Sequence, residues 1–231
     1  MIEFHCLVPR VAKEMPIVKA DEINFEWWKR VTEHYKISNQ PKKRAQTNRC
    51  LGMKDVFKLG WIQRTYQDIE ITTTPGKQTF VARTPFKQEL APSCGNFIGA
   101  YVNAHPAVQL HAFKPFPVNM LQTVIKIQSP WFFVIPEGYS LLLMPVPYND
   151  DNRFTAATGV IKTNNFWNVQ LYWHAKPGKH IIKAGTPISQ IVPIKNEIVD
   201  SEIKIVDDTR NFLKTNYPYY NRYYNTNTKD K

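Results

Sequence analysis

Apolar residues recur at every second position in short runs along most of the chain, and at every fourth position in one place. "DIEITTT" alternates Ile69 and Ile71 with polar neighbours, the mark of a half-buried strand. "PGK" at 75–77 then predicts a hairpin turn and "QTFVAR" the return strand. From residue 97 onward the runs are "MLQTVIKIQ", "WFFVI", "SLLLMPV", "NVQLYWH", "KHIIKA" and "ISQIVPI", short, β-branched or aromatic, and bounded by Pro or Gly. "PEGY" between "WFFVI" and "SLLLM" reads as another hairpin turn, and "IEFHCLV" as an opening strand. Regular turns between short strands predict a mainly β chain, a sandwich or barrel.

The four-residue period lies in "DEINFEWWKRVTEHYK", where Ile23, Trp27, Val31 and Tyr35 share one face and Asp21 stands at the cap. A helix over about 21–36 is expected there, with Trp27 and Trp28 pinning it to a sheet. Before it, Pro16 blocks helix continuation. A second, short helix is expected over Met53–Leu59, stopped by Gly60. Near the end "DSEIKIV" predicts a strand and 207–215 a short helix. The organisation expected is one β-rich domain over 1–206, then a short helix and a basic, tyrosine-rich arm over 207–231.

Composition narrows the class. The chain has 231 residues, enough to bury a core without disulfides, and 17 prolines against 9 glycines fit many stiff turns. Cys6, Cys50 and Cys94 are far apart and form no CxxC, which argues for a reducing compartment and against a cysteine-based zinc site. The start "MIEFHCLVPRVAKEMP" has no uninterrupted apolar stretch after a basic end, so no signal peptide is expected. No apolar run approaches the ~20 residues of a membrane-spanning helix, so a soluble intracellular protein without a membrane partner is expected. The formal charge of +11 favours acidic partners: nucleic acid, nucleotides or an anionic surface. Lys42, Lys43, Arg44 and Arg49 in "NQPKKRAQTNR" form a basic loop, read as a solvated connection or a phosphate-contacting patch.

Candidate chemistry is sparse. His105 and His111, and His174 and His180, are pairs six residues apart, but Pro106 and the turn at 177–178 interrupt both segments. No HxH, HxD or HExxH occurs, so no metal or other cofactor is expected, and a histidine-based metal-dependent oxygenase or cupin-like enzyme is only an alternative. His105, Gln109 and His174 remain polar-site candidates. No serine, cysteine or lysine nucleophile has a recognisable base, and no glycine-rich phosphate loop occurs. In the tail, Tyr217, Tyr219, Tyr220, Tyr223 and Tyr224 interleave with basic residues, which suits docking on a partner or stacking on single-stranded nucleic acid.

Six ordered blocks carry a resemblance: "MPIVKADEINFEWWKR", "NRCLGMKDVFKLGW", "HPAVQ", "SPWFFVIPEGYSLLLMPVPYN", "GVIKTNNFWNVQL" and "IIKAGTPISQIVPIK". Together they are similar to a family found largely in tailed bacteriophages, over about residues 15–195. That resemblance implies a phage-associated protein in the cytoplasm of the infected host cell or in the virion, and brings no activity with it. Within it, Gly159–Ile194 resembles the central segment of the dUTPase and dCTP deaminase superfamily. Gly159, Val160, Ile161, Phe166, Gly185, Ile188, Gln190 and Ile191 stand at matching positions. This second resemblance implies a β-clip or distorted jelly-roll fold.

The chemistry at the turn departs from that superfamily. Water activation there needs a carboxylate, and position 162 is lysine, protonated at neutral pH and unable to act as a base. No catalytic residue is therefore expected. Lys162, Arg153, Lys179, Lys183 and Gln190 are the candidates for phosphate or ligand contacts. The leading expectation is a non-enzymatic binding or structural protein that self-associates or binds another phage or host protein; the alternative is a dUTPase-like nucleotide-binding protein.

Overall fold

The computed structural model describes residues 1–26, 28–30, 51–74, 79–85, 101–105, 120–166 and 168–216. The chain divides into two compact units, Met1–Asn196 and Glu197–Lys231.

Period-2 runs became strands wherever alternate residues could be buried, and the first unit is mainly β. One four-stranded antiparallel sheet runs in the order β10 (Phe154–Ala156), β13 (Val169–Trp173), β7 (Val124–Ile127), β6 (Val102–His105). A three-stranded sheet is formed by β14 (Gly178–Ile182), β4 (Ile69–Thr73) and β5 (Phe80–Arg83). Their apolar faces share one core: Ile69, Ile71 and Ile182 with Ile125, Ile127, Leu171 and Trp173, all essentially without exposed surface. Each such side chain contributes about 1.5–3 kcal/mol by leaving water, so this alternation is enough to set the register.

A second core lies against the five-stranded sheet β11 (Gly159–Ile161), β9 (Tyr139–Met144), β15 (Pro187–Lys195), β3 (Trp61–Arg64), β2 (Val18–Lys19). Leu141, Leu143, Ile161 and Ile191 from this sheet meet Trp131 and Phe133 of β8 (Trp131–Val134). Strand β8 pairs with β1 (Glu3–Cys6) and β12 (Asn165–Phe166). Gly138, at φ +77°, closes the expected turn between β8 and β9.

Helices are few. The first, α1 (Pro9–Glu14), stops just before Pro16, as its missing N–H requires. Another, α2 (Leu51–Val56), starts and ends somewhat before the expected Met53–Leu59, and its trailing turn reaches Gly60. Gly60 adopts φ +66°, and a Cβ there would stand 1.9 Å from the Ile191 carbonyl oxygen.

One expectation about this helix needs correction. Asp21 does not cap it: Ala20–Glu22 form a 3-10 turn, Ile23 is extended, and the helix is entered at Glu26. Its cap is Asp150, whose Oδ2 accepts from the Glu26 N–H at 2.7 Å. Trp28 packs edge-on to Phe57, 5.9 Å between ring centroids, and on the cluster that includes Ile62 of β3, so this tryptophan pins the helix to the sheet and to α2's trailing turn. Trp27 and residues 31–36 lie outside the described residues, as do the basic loop 39–49 and the 75–77 turn.

In the second unit, the strand expected in "DSEIKIV" is not formed; residues 197–206 have no regular structure. Alternation alone makes no strand, because its N–H and C=O groups need a partner strand. Then α3 (Thr209–Asn216) follows, started by Asp208, whose Oδ1 accepts from the Asn211 N–H.

Candidate functional site

Three turns of the first unit converge at one end of β3. The 183–186 turn is held to Thr65: Thr65 N–H donates to the Thr186 carbonyl at 3.0 Å, Gly185 N–H donates to the Thr65 carbonyl at 2.8 Å, and Thr65 Oγ1 donates to the Lys183 carbonyl at 2.7 Å. Gly185 makes the turn at φ +86°. The loop between β9 and β10 is tied to it by Asn149, whose Nδ2 donates to the Pro187 carbonyl. The third turn is the segment leading into the helix at Glu26, anchored to the same loop by Asp150. Between them opens a cleft of about 680 Å³, lined by residues 22–25, 149–153 and 185–187 together with Arg64.

The charges in this cleft are mixed. Arg153 forms a two-point pair with Asp151, Nε to Oδ1 at 2.8 Å and Nη2 to Oδ2 at 2.6 Å, which holds its pKa above the usual arginine value. Its guanidinium also lies 5.9 Å from the Trp173 ring centroid. Asp150 caps the helix and accepts from Arg30 Nη2 at 3.3 Å. Arg64 is different. Its Nη2 donates to the Pro16 carbonyl at 3.1 Å, its Nε is buried without a partner, and burial lowers its pKa while Glu22 pulls the other way.

Of the residues expected to contact ligand, only Arg153 lines this cleft. Lys162 stands exposed just beyond β11. Lys179 pairs with Glu70 at 2.7 Å across the β14–β4 ladder, and Lys183 with Asp68 at 2.8 Å. The Lys183 ammonium and the Ala184 N–H hold the Asp68 carboxyl below the ordinary carboxylate range. Gln190 is buried, and its Nε2 donates to the Val56 and Leu59 carbonyls at 2.8 and 2.7 Å. It ties β15 to the end of α2, while its Oε1 is buried without a hydrogen-bond partner.

The described histidines do not converge. His105 pairs with Val124, Tyr172 packs against Val124, and His174 sits two residues beyond Tyr172 with its Nε2 3.0 Å from Thr155 Oγ1. His105 and His174 thus share the outer face of one sheet, but β6 and β13 are two strand spacings apart, about 9–10 Å. His180 lies on the inner side, edge-on to Trp173. Among the described residues no group of three or more metal-ligating side chains comes together. Gln109, His111, Tyr217, Tyr219, Tyr220, Tyr223 and Tyr224 lie outside the described residues. Among the described residues no helix is long and apolar enough to cross a membrane.

Sequence reasoning missed Arg64, Glu22 and the 149–151 loop as members of one site. "YNDDNR" was visible as a polar loop, but nothing local linked it to a strand end more than eighty residues earlier. No family model and no curated protein matches the chain. Among solved structures, the chain is similar to a mutant dUTPase from phage phi11 of S. aureus. The identity is 18%, over 37% of this chain and 72% of that one, with a TM-score of 0.28. At that overlap the likeness carries no functional argument.

Proposed function

We propose that this chain is a non-enzymatic assembly module of a tailed bacteriophage, and that its C-terminal segment joins it to a second copy of itself. One observation carries the reading. Ile198, Val199, Ile203 and Ile205 are 96%, 82%, 98% and 90% exposed, four β-branched apolar side chains within eight positions. Isolated exposed apolar residues are ordinary, but a cluster this complete supports reading the segment as a contact surface.

Charge supports the choice of occupant. Residues 197–208 carry Glu197, Asp200, Glu202, Asp207 and Asp208 against Lys204 alone, while the whole chain stands at +11. An acidic, apolar segment on a basic protein is complementary to a second copy of that protein. The phage association rests on the ordered sequence blocks over 15–195.

Light scattering on the purified full chain tests the reading. The wild type should be oligomeric at micromolar concentration and the Ile203→Asp/Ile205→Asp double variant monomeric. A monomeric wild type, or a variant that assembles as the wild type does, refutes self-association.

A further inference from the structure

We propose that the cleft beside Arg64 is a binding site for a carboxylate. Three arginines stand at or beside this cleft, and two are already matched: Arg153 by Asp151, and Arg30 by Asp150. Arg64 has no carboxylate within ion-pair distance among the described residues, and a single hydrogen bond to the Pro16 carbonyl occupies its fork. A guanidinium partly withdrawn from water, offset only by the Glu22 charge beyond ion-pair distance, has lost hydration that a bound anion restores. The cleft is open and large enough for a small organic acid or a peptide side chain with its flanking backbone.

Its walls narrow the class of anion. Glu22, Asp150 and Asp151 line the same cleft, so a doubly charged phosphate meets three negative groups, whereas a carboxylate brings one charge in the planar shape that the guanidinium fork fits. Asn24 and Asn152 offer amides to a polar body, and Phe25 and Ile23 offer an apolar wall. The carboxylate has two sources, a free small acid or an acidic side chain of a peptide, and the shared chemistry is one carboxylate on Arg64. The site does not depend on the proposed self-association, which is read separately from the Ile203 and Ile205 variants.

Calorimetric titration of the full chain with three probes tests the site: succinate, a synthetic peptide of residues 197–208, and inorganic phosphate. Succinate or the peptide should bind, and which of them does so identifies the source. The affinity should fall about tenfold to a hundredfold in Arg64→Gln, the loss of one charge-assisted pair. Circular dichroism of Arg64→Gln separates loss of binding from loss of fold. Glu22→Gln, at an exposed position, should bind the same probe more tightly, because it removes a repelling charge and no ligand contact. Binding of phosphate alone, binding of no probe, unchanged affinity in folded Arg64→Gln, or weaker binding in Glu22→Gln overturns the proposal.

Discussion

Single side chains in this protein are held by partners far along the chain, and their protonation follows from that confinement. His174 is partly withdrawn from water beside Thr155, and burial lowers its pKa; burial also lowers that of His105, with the Lys126 charge acting the same way. Both folded values lie below the unfolded one, about 6.5. Between the two, the unfolded chain binds more protons, so the stability these residues contribute is complete above about pH 6.5 and is lost as pH falls through the folded values. Asp68 has the same sign but acts in the carboxylate range, well below that window. The melting temperature should therefore fall as the pH is lowered from about 7.5 to about 5.5, and His174→Gln should lose part of that dependence. A profile unchanged by the substitution would remove His174 from the account. Gln190 shows what residue type alone leaves out: its amide nitrogen is bound to the Val56 and Leu59 carbonyls at the end of α2, a tie that no neighbouring residue announces.

At the scale of elements, strands were legible and the start of the helix entered at Glu26 was not. Ile69 and Ile71, Ile125 and Ile127, and Leu171 and Trp173 each alternate, and each pair ended on the buried face of its strand. Burial on one face selects a period of two, and that period is written in consecutive residues. A helix start is legible only if its cap is local. Here Asp21 has the right chemistry in the right place, but the N–H of Glu26 is satisfied by Asp150, and a 3-10 turn ending at Glu22 separates Asp21 from the helix. Asp150→Ala should lower stability by about 0.5–2 kcal/mol in urea denaturation, the range for losing a helix cap. Asp21→Ala should cost less. The reverse order would restore the local cap.

Across the whole molecule, charge is divided unevenly between the first unit and the segment that follows it. The acidic stretch 197–208 contrasts with the chain's formal +11, and its alternating Ile203 and Ile205 have the pattern of a strand without forming one. If the segment meets a basic surface of another copy, association should weaken as salt is raised from about 0.05 M to about 0.5 M, since exposed charges are screened within about 10 Å at 0.1 M. Sedimentation at two salt concentrations reads this; salt-independent association would leave the apolar side chains as its sole basis.

The sequence by itself determined that the chain is mainly β, where most strands and the glycine turns fall, and how charge is distributed, because each depends on neighbours a few residues apart. Only the tertiary structure decided which polar groups meet. Arg64, Glu22 and Asp150 share a cleft because antiparallel pairing brings the ends of β3, β9 and β15 to one edge. That pairing is set by burial summed over the sheets, a quantity that no local stretch of residues contains.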